Sequence, residues 1–265
     1  MKKAVLVVSF GTTYNESRKK TIEAIEQAIR DEFKDFEIRR AFTSRIIIGI
    51  LKNRDKIEID GVSEALLQLE EEGYTHVLVQ PTLVMGGEEN DRMLSAVEEY
   101  KDHFDKIICG QPLLTLEEDY ERLTKVLIED TREYDEAGTE IIFMGHGTEH
   151  VANEAYHRLA GVFSSQNFDR YHIGTVEAEP TFQDIMEEVK KTDSTRIILQ
   201  PLMIVCGDHA HNDMAGEEDD SWKAQLEEEG YEVICRLKGM GELDGVRQIL
   251  VDHAREAKGK MEEME

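Results

Sequence analysis

The sequence predicts an α/β protein with two similar halves, each a parallel sheet flanked by helices, that face each other across a cleft. Two observations lead to this prediction. Short apolar runs alternate with amphipathic stretches of helical length, which is the pattern of βαβ units. In addition, motifs of the first half recur in the second half. The length of 265 residues suits one large domain or two smaller ones, each long enough to bury a core.

The first half begins with a buried strand. Ala4–Val8 is a continuous apolar run rich in β-branched residues, which is typical of a parallel strand covered on both faces. Apolar residues then recur at spacings of three and four over 16–33, which predicts a helix with one buried face. A second helical stretch ends at Gly73, and His76–Val79 is the next predicted strand.

The second half follows Glu129–Gly138, a polar stretch without apolar periodicity that is the best candidate for a linker. We therefore predict an N-terminal half over residues 1–133 and a C-terminal half over residues 134–265. Ile141–Met144 and Arg196–Leu199 are predicted to be buried strands of the second half.

An internal repeat relates the two halves. Val7–Thr12 matches Phe143–Thr148, and Thr75–Pro81 matches Thr195–Pro201. In both halves the second of these matches is followed by a glycine next to an acidic residue, Gly87-Glu88 and Gly207-Asp208, and then by Asn-Asp. The spacing between the matches differs, so the halves are expected to differ by insertions.

Charge and composition exclude several classes of partner. The formal net charge is −26, so phosphate backbones and anionic membranes would repel the general surface, and we expect neither nucleic-acid nor membrane binding. The apolar runs are far shorter than the roughly 18 residues of a spanning helix. Only three widely spaced cysteines occur, which indicates a reducing, cytoplasmic location rather than a disulfide framework.

Four groups that could bind a metal or move a proton follow predicted strands or apolar runs. They are His146, Glu177, His209 and Glu89. In open α/β sheets ligands bind beyond the carboxyl ends of the strands, so these groups are expected to share a site. Two imidazoles with carboxylates suit Co²⁺, Ni²⁺, Fe²⁺ or Zn²⁺, although the histidines lack the spacing of a known metal motif.

The segment from Ile38 to Lys56 departs from the overall acidity. It contains six basic residues against a single Asp55. Since guanidinium groups bind carboxylates in a bidentate manner, this segment is a candidate docking place for a carboxylate-rich ligand. Helix-surface charges that balance acids elsewhere are an equally good interpretation.

At these residues the sequence resembles the anaerobic sirohydrochlorin cobaltochelatase family (CbiK type), which is related to the class II chelatases that include protoporphyrin ferrochelatase. The matching stretches are Leu6–Thr12, Ala41–Ser44, Phe143–Gly147, Val176-Glu177, Pro201–His209, Asn212–Met214 and Asp220–Lys223. The combination of Gly-His-Gly with Gly-Asp-His and Asn-Asp is more specific than any single piece.

The resemblance implies two Rossmann-like, chelatase-type halves that insert Co²⁺ into sirohydrochlorin on the route to cobalamin, with no organic cofactor. By the resemblance, His146, Glu177 and His209 hold the metal. His146, His209 and Glu89 accept pyrrole protons, with Glu88 as the alternative to Glu89. The first-half strand end carries Ser9-Phe10 instead of a histidine. We expect the tetrapyrrole to contact Ser9, Phe10 and Arg45.

Alternative functions remain at this point. The same residues would suit a sirohydrochlorin ferrochelatase or a nickel chelatase, because nitrogen and oxygen ligands do not identify the physiological metal. A tetrapyrrole or metal carrier of the same fold would bind its ligand without turnover. The sequence also leaves open whether the chain forms a homo-oligomer.

Overall fold

The computed structural model describes residues 1–263. Their contacts divide the chain into two compact units. Unit 1 comprises Met1–Thr115 and Val246–Glu265, and unit 2 comprises Leu116–Gly245. Each unit is built on a parallel sheet of four strands, as the alternation of apolar runs and amphipathic stretches predicts.

The elements of unit 1 alternate between strands and helices. They are β1 (Lys3–Ser9), α1 (Asn15–Lys20), α2 (Ile22–Glu32), β2 (Glu37–Phe42), α3 (Arg45–Ile50), α4 (Val62–Glu71), β3 (His76–Pro81), α5 (Glu88–Tyr100) and β4 (Lys106–Cys109). A π-helical turn, Leu51–Asp55, continues α3, and a 3-10 turn, Lys101–His103, follows α5.

Unit 2 repeats this alternation. Its elements are α6 (Glu117–Thr131), β5 (Thr139–Gly145), α7 (Glu154–Ser165), β6 (Tyr171–Thr175), α8 (Phe182–Val189), β7 (Arg196–Pro201), α9 (Trp222–Glu228) and β8 (Glu232–Cys235). The short turns are 3-10 at Arg132–Tyr134, Val151–Asn153 and Met240–Glu242, and π-helical at Ala210–Met214. The last helix, α10 (Asp244–Glu263), begins at the end of unit 2 and belongs almost entirely to unit 1.

The two sheets have the same topology. In unit 1 the strand order is β2-β1-β3-β4, and in unit 2 it is β6-β5-β7-β8. The central pairs also have matching registers, since Val8 lies opposite Pro81 and Met144 lies opposite Pro201. The four predicted strands fall inside β1, β3, β5 and β7. The repeat seen in the sequence is therefore a repeat of structure.

Each sheet buries apolar side chains against its helices. In unit 1 the core includes Leu6 and Val79 from the sheet and Leu66 and Met93 from α4 and α5. The core of unit 2 has the same arrangement, with α8 and α9 packed on β5, β7 and β8 around Trp222. Burying one such side chain contributes roughly 1.5–3 kcal/mol, so these clusters are the main source of stability in each unit.

The predicted helix over 16–33 is two helices in the structure. The helical geometry is interrupted at Thr21, between α1 and α2. The Thr21 hydroxyl donates to the carbonyl of Ser17 at 2.6 Å, a side-chain bond of the kind that competes with regular helix geometry. The apolar face survives the break, because Ile22, Ile25 and Ile29 are fully buried.

The division by contacts differs from the predicted halves, 1–133 and 134–265. Helix α6 lies in unit 2 because its Asp130 accepts from Arg236 at 2.9 Å and from Lys238 at 2.5 Å. Helix α10 returns to unit 1, where Arg255 donates to Glu32 at 2.9 Å. Both helices therefore contact residues that are distant in the sequence, and the local polarity near 129–138 does not indicate these contacts.

Within residues 1–263, none of the helices combines the length with the apolar composition that crossing a membrane requires.

Candidate metal centre

His146 directly follows strand β5, as its place in the sequence predicts. The residues on either side of it must be glycines, because neighbouring atoms leave no room for a side chain at either position. A Cβ at Gly145 would lie 2.3 Å from the ring of Tyr156, and one at Gly147 would lie 2.8 Å from the backbone nitrogen of Ala178. Gly147 also has a φ of +86°, which favours glycine. The Gly-His-Gly sequence therefore brings His146 close to the segment that follows β6.

Glu177 lies two residues beyond β6 and is bound to the His146 loop through the backbone. The N–H of Glu177 donates to the carbonyl of His146 at 2.9 Å, and the N–H of Val176 donates to that of Gly145 at 3.1 Å. Asn153 also joins the two loops: it accepts from the N–H of Thr148 at 3.0 Å and donates to the carbonyl of Glu179 at 2.6 Å. These bonds fix the backbone positions of His146 and Glu177 relative to each other.

His209 reaches the site by a different route from the one predicted. Strand β7 ends at Pro201, and the apolar run 202–206 that precedes His209 is an ordered loop rather than a strand. The N–H groups of Met240 and Gly241 donate to the carbonyls of Met203 and Ile204 at 2.8 and 2.9 Å, which holds this loop in place. His209 then immediately precedes the π-helical turn Ala210–Met214.

These three side chains form one cluster in unit 2. A ligand atom from each of His146, Glu177 and His209 lies within 4.8 Å of the other two, and the three form the only group with metal-binding geometry found within residues 1–263. The two imidazole rings meet edge to face, with centroids 4.7 Å apart. The Nδ1 atom of His146 lies 3.7 Å from a carboxylate oxygen of Glu177. All three predicted metal ligands are therefore brought together.

Hydrogen bonds select the ring nitrogen that each histidine offers. Nδ1 of His146 lies 2.7 Å from the carbonyl of Gly147, and Nδ1 of His209 lies 2.7 Å from a carboxylate oxygen of Asp213. Both oxygens only accept, so each Nδ1 carries the proton and each Nε2 keeps a lone pair. The side chains of His146 and His209 are 44% and 33% exposed, so a ligand has access to them.

Cys206 does not extend this ligand set. Burial raises the pKa of its thiol to about 11, so it remains protonated near neutral pH. A thiolate is the form that binds metals. The cluster is thus composed of nitrogen and oxygen donors, as the sequence predicts.

The acidic residue predicted to accept protons, Glu89, lies in the first turn of α5 in unit 1. One carboxylate oxygen pairs with Arg92 at 2.6 Å, whereas Oε2 is buried without a hydrogen-bond partner within residues 1–263. The neighbouring Glu88 is exposed. Of the two candidates, Glu89 has the more sheltered carboxylate.

Ser9 and Phe10 differ in their surroundings. Ser9 is buried, and its hydroxyl lies 2.7 Å from that of Thr82. Phe10 is 44% exposed, although it follows a fully buried strand. Its carbonyl accepts from the N–H of Ser44 at 3.3 Å, which joins it to the start of α3. Ser9 therefore supports this edge of the sheet, and Phe10 is free to make contacts.

The basic segment 39–56 is largely neutralised inside unit 1. Four of its cations pair with carboxylates: Arg39 with Glu72, Arg40 with Glu26, Lys52 with Glu58 and Arg54 with Asp55. For these four, the contacts favour the interpretation that they balance nearby acids. The side chain of Arg45 is exposed and makes no hydrogen bond or ion pair with any residue that the structure describes.

Asp213 is a residue of the site that the sequence analysis does not single out, and its carboxylate contacts the ring of His209. Its spacing of four residues from His209 is a signal that could have found it, since such pairs share one side of a helical turn. The two nearby histidines, His150 and His211, are engaged elsewhere. His150 accepts from the N–H of Ala152 at 3.0 Å, and Nδ1 of His211 lies 2.8 Å from the carbonyl of Gly207.

Comparisons with known proteins find a family and relatives that match nearly the whole chain. The family model for cobalt chelatase (CbiK) matches residues 3–258. The sirohydrochlorin cobaltochelatase of Salmonella typhimurium is 36% identical over 257 residues, covering 97% of each chain. Sirohydrochlorin cobaltochelatase CbiKC of Nitratidesulfovibrio vulgaris is 35% identical, covering 95% of this chain and 89% of its own.

Among solved structures, SirB from Bacillus subtilis with Fe³⁺ is similar in fold, with a TM-score of 0.67 and 13% identity, covering 98% of this chain and 99% of its own. The likeness to SirB shows the fold, and the family match together with the relatives at 35–36% identity shows that the chain is a metal chelatase. Within that class, the chain belongs to the cobalt chelatase (CbiK) family.

Proposed function

We propose that this chain inserts Co²⁺ into sirohydrochlorin and releases two protons, as a lyase of anaerobic cobalamin biosynthesis. The observation that carries the proposal is the cluster of His146, Glu177 and His209, whose ligand atoms lie within 4.8 Å of one another in a chain of the cobalt chelatase family. The metal ion is a substrate here, so the site must both bind it and give it up.

The donor set suits a transferable divalent ion. Two neutral imidazoles and one carboxylate are borderline ligands, of the kind that Co²⁺, Fe²⁺ and Ni²⁺ accept. Three protein ligands leave coordination positions open for water and then for pyrrole nitrogens. The partial exposure of all three side chains gives the macrocycle access to the ion.

The histidines also account for the protons. With Nδ1 engaged, each Nε2 offers a single lone pair that can bind the metal or a proton. We propose that His146 and His209 release Co²⁺ to the pyrrole nitrogens and accept the two N–H protons that the macrocycle loses. Charge is conserved, because one divalent cation leaves the imidazoles as two protons arrive. Because both imidazoles are partly exposed, each can then pass its proton to water.

Glu89 is proposed as a further proton acceptor. Its buried Oε2 lacks a hydrogen-bond partner among the described residues, and an unsatisfied carboxylate oxygen gains by taking a proton or a hydrogen bond. Since Arg92 occupies the other oxygen, Oε2 is the atom that would act.

Arg45 and Phe10 are proposed to bind the tetrapyrrole. Sirohydrochlorin is rich in carboxylates, and Arg45 is the arginine of the 39–56 segment whose guanidinium has no partner within residues 1–263. Phe10 offers an exposed ring for contact with the macrocycle. We expect Arg45→Ala to raise KM for sirohydrochlorin about 10-fold with little change in kcat, the scale of one charged hydrogen bond. Lys52→Ala is the control, because Lys52 already pairs with Glu58.

The test of the function is an anaerobic absorbance time course with sirohydrochlorin and substoichiometric protein, run separately with Co²⁺, Fe²⁺ and Ni²⁺. We expect multiple turnovers, fastest with Co²⁺. A spectral change that stops at one equivalent would instead identify a carrier, and a faster reaction with Fe²⁺ or Ni²⁺ would change the assigned metal.

The roles of the histidines are tested in the same assay. We expect His146→Ala and His209→Ala each to lower the insertion rate by at least ~10²-fold, the usual scale for a positioned acid–base group. His157→Ala, which removes an exposed histidine of α7, is the matched control. Rates near that of the wild type in both site variants would refute the assignment.

A further inference from the structure

The ring of His209 is held by a carboxylate from its own helical turn. Oδ2 of Asp213 lies 2.7 Å from Nδ1 of His209. The ring of His146, in contrast, is held by the backbone carbonyl of Gly147. The two histidines of the cluster are therefore oriented by acceptors of different charge.

The π-helical turn at Ala210–Met214 helps to hold the Asp213 carboxylate on the His209 ring. The N–H of Ala215 donates to the carbonyl of Ala210 at 3.3 Å, a bond that spans five residues instead of four. In this wider turn, residues four apart lie close to the same side, so Asp213 projects towards His209. Single π-turns of this kind are frequent at functional sites.

The other carboxylates near this turn are engaged elsewhere. Oδ1 of Asp208 accepts from the side-chain amide of Asn212 at 2.9 Å. Glu177 lies beside His146, at 3.7 Å from its Nδ1. Within residues 1–263, Asp213 is the carboxylate that forms an ion pair or hydrogen bond with the ring of His209.

We propose that Asp213 is a positioning residue for metal insertion: it holds His209 as the Nδ1–H tautomer and directs Nε2 to the incoming divalent ion. This inference rests on the proposed function, because it assigns Asp213 a role in that reaction. The physical basis is general. A carboxylate that accepts the remote ring N–H fixes the orientation of the imidazole and makes the other nitrogen a stronger donor.

The experiment measures binding of Co²⁺ alone, as the chloride under anaerobic conditions, by the visible absorbance of the bound ion. We expect Asp213→Ala to weaken Co²⁺ binding by about 10–100-fold, the usual effect of losing such a partner, and to alter the absorbance of the bound ion. Asp213→Asn, which keeps an acceptor oxygen but not the charge, should fall between Asp213→Ala and the wild type.

Asp208→Asn is the matched control. It removes a negative charge one residue from His209, and the asparagine oxygen can still accept from Asn212. We expect this variant to bind Co²⁺ within about 3-fold of the wild type, as screening of an exposed charge allows. Thermal unfolding of all variants should be unchanged within a few degrees, because the Asp213 side chain is 44% exposed.

Two results would overturn the inference: Co²⁺ binding by Asp213→Ala within 3-fold of the wild type, or equal losses in Asp213→Ala and Asp208→Asn. The second would mean that charge alone matters. These outcomes can be distinguished from a failure of the proposed function. A wild-type protein that binds Co²⁺ but fails to turn over sirohydrochlorin would contradict the function and leave the binding comparison intact.

Discussion

Gly147 offers a sharp test of how the cluster is assembled, because two separate penalties oppose a side chain there. Its φ of +86° would strain an alanine by roughly 1–2 kcal/mol. Its Cβ would also lie 2.8 Å from both the nitrogen of Ala178 and Oγ1 of Thr175. Relieving such an overlap costs about 1–3 kcal/mol. We therefore expect Gly147→Ala to destabilise unit 2 by about 2–5 kcal/mol.

The steric overlap in Gly147→Ala should also weaken metal binding. The atoms that the new methyl group meets belong to the turn that carries Glu177, and that turn is bonded to the backbone of His146. Moving the turn away separates Glu177 from His146. We expect the affinity for Co²⁺ to fall at least ~10-fold, since ligand geometry is held by such supporting contacts.

Gly138 provides the matched control. It lies in the same unit and has the same φ of +86°, but a Cβ there would meet nothing within 4 Å. Gly138→Ala should therefore lose only the roughly 1–2 kcal/mol of backbone strain and keep the wild-type affinity for Co²⁺.

Urea unfolding of both variants measures the loss of stability, and anaerobic Co²⁺ titration measures the change in affinity. Equal losses of stability in Gly138→Ala and Gly147→Ala, with Co²⁺ affinity unchanged in both, would refute the argument that Gly147 permits the approach of the two loops.

Three further predictions follow from single contacts. Glu177→Gln should weaken Co²⁺ binding at least ~10-fold without changing thermal unfolding, because its side chain is 56% exposed; unchanged affinity would remove Glu177 from the ligand set. Gly161→Ala, in α7 with open space around it, should raise stability by about 0.5–1 kcal/mol in urea unfolding, and a loss would contradict this. Burial raises the pKa of Asp130, but hydrogen bonds from Lys238, Gln200 and Arg236 outweigh this effect and hold the pKa below its usual value. Its ionised form thus stabilises the fold above about pH 3.9, and this contribution is lost as the pH falls through the folded-state pKa. Asp130→Asn should cost about 3 kcal/mol at pH 7, this cost should shrink steadily as the pH falls below about 3.9, and a cost that stays constant would contradict this.

The strands and the position of His146 at the end of its strand could be predicted from the sequence because their signals are local. A run such as Ala4–Val8 can be buried on both faces only as a central strand, and the repeat of Val7–Thr12 in Phe143–Thr148 reports the repeated strand order. His146 follows its strand directly, and its flanking glycines indicate that the backbone is approached closely.

Other features depend on contacts between residues far apart in the chain, and only the tertiary structure decides them. The place of His209 depends on a loop held by Met240 and Gly241. Whether a cation is available to a ligand depends on acidic residues elsewhere in the chain. The sequence does not distinguish Arg39 and Arg40 from Arg45. In the structure, Arg39 pairs with Glu72 and Arg40 pairs with Glu26. Periodicity and turn residues encode local conformation, whereas ion pairing and ligand convergence depend on which distant side chains the fold brings together.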